Sequence, residues 1–402
     1  MEESLPIEMH REIKGKIETH VRVPLDTPYD VSLAYIPGVA EACLEIKSNR
    51  NKSFSMTRRW NTVAIVSNGT SVLELGDTGP AASMPLLEGK AAVLKAFGGV
   101  DAVPLCIDCK DAVSLTGIVA SLEYGFGGFM LEGISAPECY AVEKELKNRC
   151  AVPVFNDSRD GTAVAVLAAL KNSLKLAEKS LKDVKIVISG CGAAGTAVAE
   201  MLLKAGVRDI IMCDKTGVML ERRAAGNPVL QELFRKTNPR GIRGKIKAAL
   251  KGADVFIGLS AANVITADDV ASMAEKPVVF AMANPVPEIL AENAQKGGAF
   301  VYATGRSDRP NQISSILVFP GLLRGTMDAK AKEINDRMLF AAADALAEAV
   351  DEEELSPENI LPFPCDPVSR QELYGRVADA VRAAAVASGA STQEDLRQPA
   401  QQ

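Results

Sequence analysis

A two-domain α/β protein is what this sequence predicts, and three observations predict it. Short apolar runs of strand length alternate with helical runs from about residue 31 to about residue 305. That alternation reads as strand–helix–strand units and parallel sheets. Near the middle, "VKIVISGCGAAGTAVAEMLL" sets a glycine triad between an apolar strand and an apolar helix. A chain of 402 residues is also long enough for two cores.

Residues 1–30 read as a short helix, "HREIKGKIE", and an irregular segment with prolines. The strands that follow are "TVAIVSN" (62–68), "AVPLCID" (102–108), "GGFMLEG" (127–133) and "VPVFND" (152–157). Between the first two, "LLEGKAAVLKAFGG" (86–99) has helical spacing and stops at glycines. "GTAVAVLAALKNSLKLAE" (161–178) is a long apolar helix that bridges two domains. Beyond the glycine triad, "DIIMCD", "ADVFIGLS", "PVVFAMAN" and "FVYATG" continue the rhythm of a doubly wound Rossmann-type sheet. From about residue 330 the chain is Ala-rich and helical, and the tail "STQEDLRQPAQQ" is polar and frayed. The expected division is an N-terminal α/β domain over 1–160 and a dinucleotide-binding domain over 161–375. Residues 376–402 form a C-terminal helix, able to pack back on the first domain, and the tail.

Bulk composition excludes several classes. Apolar content of 47% and charged content of 24% are those of a soluble globular protein. Net charge is −6, with no Lys/Arg-rich run, which argues against a nucleic-acid partner. The N-terminus is too charged for a signal peptide, and no apolar run reaches a membrane-spanning length of ~18 residues. Eight cysteines sit mostly in apolar runs, which reads as reduced thiols in a cytoplasmic protein. A lone Cys106-x-x-Cys109 beside only two histidines argues against structural zinc.

The triad Gly190, Gly192 and Gly195, with Ala193 and Ala194 between, fits Gly-x-Gly-x-x-Gly in the strand–turn–helix context it needs. The first glycine makes the tight turn, the second admits a pyrophosphate, and the third lets helix and strand approach. The next strand ends at Asp214, an acid suited to ribose hydroxyls, which favours NAD; Lys215 beside it leaves NADP open. In the first half, Tyr35 precedes a Pro-Gly turn, and alone would be an interface or core tyrosine. Lys90 lies among apolar neighbours, where a lowered pKa would suit a base; alone it would be a surface lysine. Glu132 and Asp157 each end a strand.

"LAYIPGVAEAC", "TVAIVSNGTSVLELGDTGPAASMPLLEGKAAVLKAFGGVDAVPLCID", "FGGFMLEGISAPECY", "PVFNDSRDGTAVAVLAAL", "ANPVPEI" and "ATGRSDRPNQISSILVFPG" together resemble the small bacterial and archaeal malic enzymes, in order, over about residues 8–385. The resemblance implies oxidation of malate at C2 with NAD(P), decarboxylation of the oxaloacetate formed, and tautomerisation to pyruvate. It also implies Mg²⁺ or Mn²⁺, a substrate domain followed by a nicotinamide domain, and dimers or dimers of dimers with the cleft near the subunit interface; a homodimer touching near the Tyr35 segment is expected. The family's acid falls on Tyr35, its base on Lys90, and its Asn-Pro asparagine on Asn284, which meets cofactor and substrate. Ser260, at the end of "ADVFIGLS", joins the cofactor set.

The metal set departs from the pattern. The family's Glu-Asp pair reads Glu132-Gly133, and its Asp-Asp pair reads Asp157-Ser158. Two of three carboxylates are missing, so Mg²⁺ or Mn²⁺ is in doubt, with Glu132 and Asp157 as the remaining ligands. A pair of asparagines toward the substrate is replaced by Ser314 and Ser315. These changes gather where the acidic substrate sits, which points to altered function. One expectation is that Arg159 turns into space left by Gly133 and supplies the metal's positive charge. The other is that Arg159 points outward to a surface acid. The functional expectation is an NAD-dependent oxidoreductase acting on malate or a related 2-hydroxy or 2-amino acid. The competing readings are a non-catalytic dinucleotide-binding protein, and an imine-reducing or lyase activity on the same scaffold.

Overall fold

The computed structural model describes residues 5–224, 228–363 and 367–391. The first sheet holds β1 (Thr62–Ser67), β2 (Asp101–Cys106), β3 (Gly128–Leu131) and β4 (Val154–Asn156), all parallel, in the order β2-β1-β3-β4. The second holds β5 (Lys185–Ser189), β6 (Asp209–Asp214), β7 (Gly217–Val218), β8 (Val255–Gly258), β9 (Val278–Ala281) and β10 (Val301–Thr304). Its order is β10-β9-β8-β5-β6-β7, parallel except for β7 on β6. Helices cover both faces of parallel sheets, so central strands such as β1 and β5 are buried along their whole length. That explains why these strands read as continuous apolar runs and not as alternations. In each sheet the winding reverses beside the first strand, between β1 and β3 and between β5 and β8. Crevices for ligands open at the carboxyl ends of strands at such points.

The linker helix, Thr162–Ala177, joins the two sheets. Every residue from Ala163 to Leu170 is buried, half of them alanine, so neighbouring helices approach closely. Those neighbours are the glycine-loop helix, Ala193–Lys204, and the helix Asp336–Ala347. One apolar cluster runs from β1 through the linker helix to β5 and the C-terminal helices. The outer face of each sheet has its own smaller cluster.

The expected boundary at 375/376 is corrected. It falls inside one continuous helix, Pro367–Ala387. Leu373, Tyr374, Val377, Ala378, Val381 and Ala385 keep helical spacing and are buried straight through that point. The helix packs on the helices Phe319–Asp328 and Asp336–Ala347 and reaches the first domain. There the Tyr374 ring stacks on Phe97 at 5.4 Å. The first helix also differs: it spans Leu5–Ile13 and ends where Lys14 and Gly15 take positive φ, before "KIE". Residues 392–402, most of the expected frayed tail, lie outside the described residues. Among the described residues no helix is long and apolar enough to cross a membrane.

The C-terminal helix docks through glycines. A Cβ at Gly325 would lie 2.3 Å from the Ala378 carbonyl oxygen, which is backbone and cannot rotate away. Gly325→Ala is therefore expected to push the two helices apart and lower unfolding stability by about 1–3 kcal/mol, read from the urea midpoint.

Candidate active site

Three elements of the first sheet converge. The helix Pro80–Gly98 starts on a proline at its first turn, ends on left-handed Gly99, and carries Lys90. Glu132 follows β3, its amide still donating to the Val66 carbonyl at 2.9 Å. Asp157 follows β4 and opens a wide π-type turn, Asp157–Gly161, that feeds the linker helix. The Lys90 Nζ donates to both Glu132 and Asp157. The Ser158 hydroxyl donates to Glu132 at 3.2 Å, and the Ser315 hydroxyl to Asp157 at 2.7 Å. The Phe319 ring closes one side, 5.7 Å from Nζ. Asp157 is fully buried and Glu132 nearly so.

The expectation of a lowered Lys90 pKa is corrected. Burial pushes the ammonium down, but Asp157 and Glu132 outweigh it and hold Lys90 above the ordinary lysine value. Burial holds Glu132 above the usual carboxylate range; Lys90 draws it down in part, and Asp157 pushes it up again. The resting cluster is thus an ammonium gripped by two acids.

The residues do not fit a three-carboxylate cation site. A hard divalent ion takes several oxygen ligands. Among the described residues no three His, Cys, Asp or Glu side chains gather in reach of one ion. Lys90 already bridges the two carboxylates that remain. The other Asp157 oxygen faces the backbone of Gly161, where a Cβ would lie 2.2 Å from it.

Arg159 does neither of the things expected of it. It is 7% exposed, so it does not point outward, and its partners are Glu143 and the partly exposed Glu200, not groups at Gly133. Gly133 leaves no vacancy: its φ is +63°, and a Cβ there would lie 2.9 Å from the Ser67 hydroxyl and 3.3 Å from the Ser71 carbonyl. Arg159 Nη2 instead donates to Glu200 at 3.0 Å, and Nε lies 3.2 Å from Glu143. Its guanidinium sits 4.7 Å over the Tyr140 ring. Glu143 and Tyr140 belong to the helix Glu138–Arg149, and Glu200 to the glycine-loop helix. Glu143 also accepts from Asn156 at 2.9 Å and Lys147 at 2.6 Å. Sequence reading missed this network because its acids look like ordinary helix-face charges.

Tyr35 is not brought to the cluster within one chain; it is 64% exposed on the N-terminal arm. Of the two serines, Ser315 joins the cluster, while Ser314 accepts the Ile316 amide at 3.4 Å and caps a local turn.

The glycine loop has the geometry of a dinucleotide cradle. Gly190 takes φ +113°, and a Cβ there would lie 2.2 Å from the Leu259 carbonyl, so the turn sits tightly at the crossover of β5 and β8. A Cβ at Gly195 would lie 2.0 Å from the Gly190 carbonyl, so helix and strand touch. At Gly192 a Cβ would meet nothing within 4 Å, the open approach a pyrophosphate needs. Ala193 and Ala194 open the helix, whose N-terminus favours anionic charge. Asp214 ends β6, and its Oδ1 accepts from the Thr216 amide and hydroxyl at 2.8 and 2.7 Å. Lys215 beside it is exposed. Ser260 and the cis Asn284-Pro285 bond stand after β8 and β9. Both loops hang on Glu288, fully buried, which accepts the Ser260 amide at 2.8 Å and the Ala283 amide at 3.0 Å. Glu288 lies inside "ANPVPEI" but was not singled out; a carboxylate directly after Pro287 gives little local signal.

Two family models match the chain: "Malic enzyme, N-terminal domain" over residues 14–147 and "Malic enzyme, NAD binding domain" over residues 160–386. The chain is 47% identical over 384 residues to the NAD-dependent malic enzyme of Geobacillus stearothermophilus, covering 96% of this chain and 79% of that protein. It is 44% identical to the bifunctional malic/malolactic enzyme of Bacillus subtilis, covering 95% of this chain and 93% of that one. The crystal structure of NAD-dependent malic enzyme from Thermotoga maritima superposes with a TM-score of 0.90 at 41% identity, covering 94% of this chain and 99% of that chain.

The charge network makes a prediction about pH. Burial and Glu143 push the Asp160 carboxyl up to about 6, against partial relief from Lys147 and Arg159. The folded state then binds more protons than the unfolded one between about pH 4 and 6, so stability falls as pH rises through that window. Asp160→Asn removes the penalty. At pH 7 the variant is expected to be more stable than the parent by on the order of 2–3 kcal/mol, with little difference at pH 4, by urea denaturation at both pH values.

Proposed function

This chain belongs to the malic enzyme family, and from that premise we infer that it oxidises malate or a closely related 2-hydroxy acid with NAD. The observation that carries the reading is Lys90 held between Glu132 and Asp157 at the carboxyl ends of adjoining strands. When bound, NAD supplies the hydride acceptor. The chain's own residues hold and move the proton. Lys90 is already protonated at rest, so its ammonium donates a hydrogen bond to a substrate oxygen. The proton released from the substrate hydroxyl is taken up by the Glu132–Lys90–Asp157 unit, in which Glu132 already has a raised affinity for protons. Ser158 and Ser315 keep the two carboxylates oriented while this happens. Asp214 favours the unphosphorylated ribose of NAD.

Metal dependence is weakened or lost in this reading. The family's lysine is retained at Lys90, but the two positive charges a divalent ion would add beside it are missing, and the developing enolate is less well stabilised. Hydride transfer is therefore favoured over decarboxylation.

The N-terminal arm supports a homodimer. Leu5, Val21, Leu25, Tyr29, Leu33 and Ile36 are each at least half exposed within a single stretch. So many exposed apolar side chains in one arm call for a covering partner, and a second copy of the same arm provides one symmetrically. Tyr35 lies in this arm, so its access to a cleft follows from that assembly.

Two measurements test these readings. Turnover of malate, oxaloacetate and related hydroxy and amino acids is followed with NAD or NADP, in Mn²⁺ or EDTA. The expected result is NAD reduction by a 2-hydroxy acid that survives EDTA and falls by about 10²–10⁴ in Lys90→Met. Activity that vanishes in EDTA would overturn the metal-independent part, and NAD binding with no turnover would favour a non-catalytic dinucleotide-binding protein. Sedimentation at micromolar concentration is expected to give a dimer that Leu33→Asp with Ile36→Asp dissociates; a monomeric parent would sink the assembly.

A further inference from the structure

The turn Asp157–Gly161 faces two ways. Asp157 and Ser158 meet Lys90 and Glu132, while Arg159 and Asp160 meet the helices behind. Arg159 is gripped by both domains at once: Glu143 and Tyr140 on one side, Glu200 on the other. A second link runs parallel to it. The Tyr140 and Thr196 hydroxyls lie 3.0 Å apart, and Thr196 bonds back to the Gly192 carbonyl at 2.9 Å. Tyr140 and Glu143 are one turn apart on their helix, and so are Thr196 and Glu200 on theirs. The two links therefore pin the first two turns of the glycine-loop helix against the first domain. Ala193, at the start of that helix, also packs on the first domain's outer cluster.

Five charges meet here: Arg159, Lys147, Glu143, Glu200 and Asp160. Apolar residues of similar volume would stabilise such a contact at least as well, so the charges are poor evidence of a role in stability. What a guanidinium adds is a rigid planar fork that fixes direction as well as distance. A shift of the glycine-loop helix would be carried through Glu200 to Arg159, and from Arg159 along two peptide bonds to Asp157.

We propose that Arg159 is a positioning residue that transmits the placement of the glycine-loop helix to the turn holding Asp157, so that binding of a dinucleotide orders the Lys90 cluster. The proposal rests on the dinucleotide reading of that loop. Glu200 is its partner in this task, and Arg159 itself touches no reacting atom.

The test is amide hydrogen exchange on the full-length protein with and without NAD, in the parent and in Glu200→Gln and Tyr140→Phe. Glu200 is partly exposed, so its amide variant keeps the fold. In the parent, NAD is expected to slow exchange both at residues 190–196 and at residues 157–163. In Glu200→Gln, protection stays at 190–196 and is lost at 157–163; Tyr140→Phe keeps the guanidinium bridge and behaves as the parent. Steady-state kinetics of Glu200→Gln are expected to show kcat lowered about tenfold with KM for NAD unchanged. Protection of 190–196 alone in the parent overturns the proposal and leaves the dinucleotide site standing. So does a Glu200→Gln protein that matches the parent in both segments. No protection at 190–196 overturns the dinucleotide reading, and this proposal with it.

Discussion

The candidate site depends on one interaction, the Lys90 ammonium held between two buried carboxylates. Each of those three charges alone would be strongly disfavoured away from water. Together they are tolerable, because one cation and two hydroxyl donors, Ser158 and Ser315, share the carboxylate oxygens. The rest of the first domain is arranged to make that meeting possible. Parallel pairing of β3 and β4 puts Glu132 and Asp157 at the same edge of the sheet. The helix after β1 returns over that edge and delivers Lys90. The wide turn after Asp157 then reverses direction to enter the linker helix without moving the carboxylate outward.

The second domain repeats the architecture with a different payload. Its crossover point carries glycines instead of acids, because a phosphate needs close backbone and a helix N-terminus. Alanines along the linker helix let the two halves share one apolar cluster. Arg159 and Tyr140 add polar links between the two halves beside that shared cluster.

Much of this was legible locally. Strand ends, the glycine triad and the bridging helix all show in periods of a few residues, and among the described residues every strand except the two-residue β7 follows from an apolar run. What was not legible was direction. Nothing near "NDSRDG" says that Arg159 turns toward helices whose acids are 16 residues before it and 41 residues after it in the chain. Nor does "LEGKAA" say that Lys90 meets two carboxylates, so an apolar context suggested a lowered pKa where the ion pairs raise it. The continuity of the C-terminal helix through residues 375 and 376 was missed because Gly375 and polar neighbours mask a buried stripe that only its partner helices reveal.

The charge balance of the cluster bears on what chemistry it can favour. The family resemblance places a lysine at Lys90 and a divalent ion on carboxylates beside it; here the lysine stands between the carboxylates of Glu132 and Asp157. The two arrangements differ in what happens as charge builds on the substrate oxygen. An ion coordinates that oxygen directly and concentrates two charges on it. An ammonium offers hydrogen bonds, most of which Glu132 and Asp157 already take. Loss of hydride needs the hydroxyl proton to leave, which the acidic cluster can accept. Loss of carbon dioxide needs an electron sink. On the metal-independent reading proposed above, only two serines and a shared ammonium would serve as that sink, and the second step would be weakened more than the first.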